Sequence, residues 1–141
     1  MTYVLDSSAV IAFINREAGG DIVKRLIAEA GQGDCSLSIS IVQLLEIFYD
    51  HVYCYGIDEA KKITEAIIAG PVSIIEHISY PIMYDAGRLK TTYHCSLADA
   101  IACATAISLQ AVLVTADHNE LEAVEKGENL SVLWLPAHPK K

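Results

Sequence analysis

The stretch Tyr3-Val4-Leu5-Asp6-Ser7-Ser8-Ala9 decides the fold. Three apolar, strand-forming residues run into an acid and two hydroxyls, and an apolar helical pattern over residues 9–15 follows at once. A strand without polar alternation that passes directly into a helix suits a parallel sheet buried on both faces. The same alternation continues along the chain. Helical patterns at residues 20–30, 41–53, 58–69, 82–92, 97–109 and 119–126 separate short apolar runs at 36–39, 72–75, 112–114 and 131–134. Strands alternating with helices predict an α/β fold with a short parallel sheet.

At 141 residues the chain is long enough for one core, and a single domain over residues 1–135 is expected, followed by a tail at 136–141 marked by Pro136, Pro139, Lys140 and Lys141. Hydrophobic residues are 52% and charged residues 20%, a balance that excludes intrinsic disorder. Asp6, Glu46, Glu76, Asp99 and Asp117 interrupt the richest apolar stretches, so none approaches the roughly 20 residues of a membrane-spanning helix. The first residues carry no basic segment of the kind that opens a signal peptide, so a cytoplasmic location is expected. Cys35, Cys54, Cys95 and Cys103 lack metal-binding or disulfide spacing and read as reduced core residues. A net charge of −8 argues against a broad basic face for nucleic acid.

Ligands of parallel sheets sit beyond the carboxyl ends of the strands. Two of the clearest strands end there in an acid: Leu5 runs into Asp6, and Val114-Thr115-Ala116 into Asp117. Each acid also has an ordinary reading. Asp6 fits a helix cap, Asp117-x-x-Glu120 and Ser96-x-x-Asp99 fit capping boxes, and Glu46 fits the polar stripe of its helix. Against these readings stands the shared setting, since each acid lies at a strand end or in the opening turns of a helix among apolar neighbours. Gathered together, four carboxylates would repel one another unless divalent cations neutralised them. Oxygen ligands of that charge suit Mg²⁺ or Mn²⁺, which can activate water and stabilise a leaving oxygen in phosphodiester hydrolysis.

With these residues in place the chain resembles the PIN-domain ribonucleases, and among them the VapC-type toxins of toxin-antitoxin pairs. The resemblance rests on Val4-Leu5-Asp6-Ser7-Ser8-Ala9, Glu46 in a helix after the second strand, Leu97-Ala98-Asp99-Ala100, and Leu113-Val114-Thr115-Ala116-Asp117, in that order along nearly the whole chain. It implies a three-layer α/β/α fold and an acidic pocket in which Asp6, Glu46, Asp99 and Asp117 hold Mg²⁺ or Mn²⁺ and carry catalysis. It further implies that Ser8 and Thr115 orient the carboxylates, and that Asn119 contributes an oxygen. The reaction implied is endonucleolytic cleavage of RNA, leaving 5′-phosphate and 3′-hydroxyl ends, with the carboxylates as ligands rather than covalent catalysts.

Arg88 and Lys90, on the helix before Asp99, are candidate contacts for RNA phosphates, although a solvated helix face explains either more simply. His118 reads as a loop residue, and His51, His77, His94 and His138 carry no metal-ligand spacing. Ile11, Phe13 and Ile14, and also Phe48, Tyr49, Tyr53 and Tyr55, offer more apolar surface than one small core consumes. The resemblance adds a homodimer and a small antitoxin that covers the acidic pocket. Two rival readings are a receiver-like Mg²⁺-binding signalling domain and a PIN-like module that binds RNA or protein without cutting it. The first lacks the acidic pair after the first strand and the late lysine; the second keeps all four acids without needing them.

Overall fold

The computed structural model of the protein describes residues 1–136. Strands β1 (Thr2–Leu5), β2 (Ser36–Ser40), β3 (Val72–Ile75), β4 (Val112–Thr115) and β5 (Ser131–Trp134) form one all-parallel sheet in the order β3-β2-β1-β4-β5. The helices are α1 (Ser7–Ile14), α2 (Gly20–Gly31), α3 (Ile41–Tyr55), α4 (Ile57–Ala69), α5 (Tyr80–Tyr93), α6 (Leu97–Leu109) and α7 (His118–Gly127). Of the expected tail only Pro136 falls among the described residues; His138 and residues 137–141 lie outside them.

The chain leaves β1 toward β2 and β3, then returns to add β4 and β5 on the other side of β1. Crossovers of one hand send the helices of the two halves to opposite faces. Two cores result. Leu5, Val114, Leu37 and Ile39 face Ala9 and Val10 of α1, Val23 and Leu26 of α2 and Ile47 of α3. Val4 and Leu113, one residue earlier and therefore on the other face, meet Leu89 of α5, Ala100 to Ala104 of α6 and Leu121 of α7. The expected three-layer α/β/α arrangement with a short parallel sheet is what forms. Reversal of strand order between β1 and β4 leaves a crevice at their carboxyl ends, just where Asp6 and Asp117 follow.

Element ends differ from the sequence reading where caps decide them. Helix α5 starts two residues early because the Ser79 hydroxyl accepts the Ile82 N–H and Pro81 fits the first turn. Helix α3 runs on to Tyr55, where Gly56 at φ 86° stops it in a backbone conformation that side chains disfavour. One sequence expectation needs correction. Cys95 and Cys103 are buried and burial pushes both thiols up, but Cys35 is half-buried and Cys54 exposed, so the cysteines are not uniformly core. Tyr49, Tyr53 and Tyr55 stay exposed, whereas Ile11, Phe13 and Ile14 pack against the core. Among the described residues no helix is long and apolar enough to cross a membrane.

Helix α6 is buried all round from Asp99 to Ala106, and its residues there are Ala, Ile, Cys and Thr after the acid. Small side chains let it lie close to the sheet on one side and α5 on the other. Ala104→Leu, which adds volume at a fully buried position, is expected to lower stability by about 1–3 kcal/mol in urea unfolding. Unchanged stability would mean that α6 has room it is not thought to have.

Candidate functional site

Asp6 ends β1 with its backbone still in the sheet, its N–H donating to the Val114 carbonyl at 2.9 Å. It occupies the N-cap position of α1, yet its carboxylate makes no capping bond. Instead Oδ2 accepts the hydroxyls of Ser8 and Thr115, both at 2.8 Å. Those hydroxyls in turn accept the N–H groups of Ala116 and Asp117, each at 3.0 Å. The two hydroxyl oxygens lie 3.2 Å apart. With one proton each, both already directed to Asp6, they bind the end of β1 to the end of β4. Asp6 is only 1% exposed, and its Oδ1 is buried without a hydrogen-bond partner. Burial raises its pKa, the two hydroxyls oppose that rise, and the charge of Asp117 adds to it.

Helix α3 approaches from the side of β2. Ser40 caps it by accepting the Val42 N–H, and the next turn presents Gln43 and Glu46, three residues apart and so on one face. Glu46 Oε1 accepts the Ser7 hydroxyl at 2.9 Å. Its pKa is raised by partial burial, against the lowering effect of Ser7, and raised further by the charges of Asp6 and Asp117. Gln43 is fully buried; its Oε1 accepts the Ser7 N–H at 3.1 Å and its Nε2 donates to the Ala98 carbonyl at 2.7 Å.

On the opposite side Ser96 caps α6 by accepting the Asp99 N–H at 3.1 Å. The return half of this capping box is missing. The Ser96 N–H goes at 3.5 Å to Glu120 Oε2, from the first turn of α7. One carboxylate oxygen each from Asp99, Asp117 and Glu120 lie within 4.8 Å of one another. Asp99 is pushed up to about 9 by burial, by its hydrogen bond with Glu120 and by the charges of Asp6, Asp117 and Glu120. Glu120, the exposed partner, is held below its ordinary value, first by that same bond, with a smaller contribution from Lys90. Asp117 stands at the N-cap of α7 without a capping bond. Helices α1, α6 and α7 thus all begin at the acids, where their N–H ends favour negative charge.

The structure groups Asp99 and Asp117 with Glu120 and sets Asp6 and Glu46 within electrostatic reach of them, with Ser8 and Thr115 bonded to Asp6. It does not bring Arg88 there. That guanidinium donates both terminal nitrogens to Glu128, at 3.1 and 2.8 Å, beyond the far end of α7 from Glu120. Lys90 lies nearer, donating to the Cys95 carbonyl at 3.1 Å. Asn119 is exposed, and among the described residues no hydrogen bond joins it to the cluster. His118 belongs to α7 rather than a loop; it packs on Trp134 with centroids 4.6 Å apart and meets the Leu135 carbonyl at 2.6 Å. Sequence reasoning missed Ser7, Gln43 and the engagement of Glu120. The only signal for the first two was an amide and an acid three residues apart in an otherwise apolar helix start.

A sequence model of the PIN domain family matches residues 3–127. No curated protein matches the chain. Among solved structures, VapBC2 from Rickettsia felis, bound to a DNA fragment from its promoter, superposes with a TM-score of 0.74 at 19% identity, covering 94% of this chain and 98% of that one. VapBC-1 from nontypeable Haemophilus influenzae gives 0.71 at 20% identity, with 95% and 98% covered. VapC20 from Mycobacterium tuberculosis, a toxin that cleaves the sarcin-ricin loop, gives 0.67 at 17%, with 86% and 94% covered. At these identities the likeness is one of fold.

The raised carboxyls make stability depend on pH. Asp6, Glu46 and Asp99 bind protons more tightly folded than unfolded, so their contribution is complete at acid pH and is lost as pH rises. The depressed Glu120 acts in the opposite sense only below its ordinary value of 4.5. Without divalent cations the protein is expected to lose stability steadily between about pH 5 and pH 9, the upper limit set by Asp99. Asp99→Asn should flatten that slope in urea titrations; an equal slope in both proteins would contradict the assignment.

Proposed function

The chain belongs to the PIN domain family, and from that membership together with the acid cluster we propose that it is a metal-dependent endoribonuclease, the toxin of a toxin-antitoxin pair. The observation that carries this reading is the Oδ1 of Asp6. A carboxylate oxygen buried without a partner, in the electrostatic reach of Asp99 and Asp117, is costly unless something positive meets it. The grouped oxygens of Asp99, Asp117 and Glu120 are all carboxylate, a donor set that fits Mg²⁺ or Mn²⁺ and not a soft metal. Asp99, Asp117 and Glu120, whose oxygens lie together, would hold the cation with Asp6 and Glu46, whose charges act on the same group.

A bound divalent cation supplies a more acidic water and stabilisation of charge on the leaving oxygen. The chain's own residues do the rest. Ser8 and Thr115 fix the rotamer of Asp6 and keep Oδ1 turned away from the hydroxyls that occupy Oδ2. Ser7 fixes Glu46 in the same way. Lys90 offers a positive charge beside Glu120 for an RNA phosphate, a role that Arg88, bound to Glu128, does not share. RNA as substrate is supported by the family resemblance and by the structural likeness to a toxin that cleaves the sarcin-ricin loop.

An antitoxin partner is supported by the VapBC complexes among the similar structures. An apolar cavity of about 210 Å³, lined by Phe13, Ile14, Ile27, Ile63 and Ile67 between α1, α2 and α4, is the kind of surface a partner segment would fill. A homodimer is supported by exposed Leu45 and Tyr49 on α3 and Met83 and Tyr84 on α5. The site of action would be the cytoplasm.

Purified protein is expected to cut total cellular RNA at defined positions with Mg²⁺ or Mn²⁺ and not in EDTA, with new 5′ ends mapped by sequencing. Asp99→Asn should lower the rate on the order of 10²-fold or more. Cuts that persist in EDTA or in Asp99→Asn would overturn the reading, and an absence of cuts with either metal would favour a binding module.

A further inference from the structure

The fully buried side chain of Gln43 bonds to two backbone groups, and each of them lies one residue away from an acid. Its Oε1 accepts the N–H of Ser7, which follows Asp6; its Nε2 donates to the carbonyl of Ala98, which precedes Asp99. These two backbone groups belong to the first turns of α1 and α6, helices on opposite faces of the sheet. A primary carboxamide is the side chain that accepts on one side and donates on the other across such a gap. An apolar replacement leaves the Ser7 N–H without this acceptor, and a carboxylate sets oxygen against the Ala98 carbonyl oxygen. One turn further on, Glu46 takes the hydroxyl of the same Ser7 at 2.9 Å. Helix α3 therefore grips α1 at two points and α6 at one, and all three grips flank carboxylates that repel one another.

We infer that Gln43 is a positioning residue: it ties the first turns of α1 and α6 together, sets the separation of Asp6 from Asp99, and so governs the affinity of the cluster for a divalent cation. This rests on the metal-dependent reading proposed above. Without the tie, the two helix starts lose the side chain that bonds to both, and the oxygens of Asp6 and Asp99 no longer keep the spacing that one ion needs. Supporting side chains of this kind commonly change metal affinity by about 10–100-fold when removed.

The test measures Mn²⁺ binding by calorimetry and electron paramagnetic resonance, and kcat and KM for RNA, on folded protein. Gln43→Met keeps the length of the side chain and loses both hydrogen bonds; it should raise the Mn²⁺ Kd about tenfold or more and lower kcat, with KM for RNA little changed. Gln43→Asn keeps the amide but is one methylene too short to reach both partners, so it should weaken Mn²⁺ binding by less, and it carries the test if Gln43→Met does not fold. Thr105→Val is the control: it removes a buried hydroxyl bonded to the Ile101 carbonyl at 2.7 Å, further along α6, and should leave Mn²⁺ affinity unchanged. Variants of Gln43 that bind Mn²⁺ within twofold of the wild type would overturn the inference alone, as would equal weakening in Thr105→Val. Wild-type protein that neither binds Mn²⁺ nor cuts RNA would overturn the proposed function, and this inference with it.

Discussion

Like charges gathered out of water repel, and this protein collects several carboxylates where its strand order reverses. Asp6 is the most constrained of them. Its backbone is committed to the sheet through the Val114 carbonyl, and its side chain is held by two hydroxyls from β4 and α1. Much of what surrounds the site answers the same repulsion. Three helices begin there and offer the positive ends of their dipoles. Asp99 and Glu120 are joined by a hydrogen bond that lifts one pKa and lowers the other, while Lys90 stands close enough to contribute. What remains uncompensated is the inner oxygen of Asp6.

Most of the fold was legible because the strands are short apolar runs bounded by turn and cap residues, and a parallel sheet covered on both faces needs nothing else from them. The capping motifs were legible as motifs and misleading as explanations. Asp6 and Asp117 do occupy N-cap positions, but neither carboxylate caps its helix, and the acid that meets the Ser96 N–H is Glu120 and not Asp99. A spacing rule identifies where a helix starts; it does not say what else competes for the side chain there. Gln43 was illegible for a different reason. Its partners lie 36 and 55 positions away in sequence, and a neutral amide three residues before an acid does not say what it bonds until the helices are assembled. Arg88 failed in the converse way. It looked available beside the acids on the sequence, and Glu128, 40 positions on, takes both of its terminal nitrogens.

The charge balance bears on how such a site would hold an anionic polymer. With a net charge of −8 and Arg88 already engaged, the protein offers little general attraction for phosphate. Cations at the acids would then serve attraction as well as chemistry. On α3 the exposed Tyr49 lies against Glu46, and its ring meets that of Tyr53 edge to face with centroids 6.4 Å apart, an aromatic pair and not a basic one.

The small-residue packing of α6 reaches further than stability. Asp99 sits at the end of a helix with no slack along its buried length, wedged between the sheet and α5. Sliding such a helix as a whole would displace both layers; its first turn, where Gln43 meets the Ala98 carbonyl, lies ahead of the buried stretch. A segment laid over the opening, or a positive group put where a cation would go, would act on Asp99 without moving α6 at all.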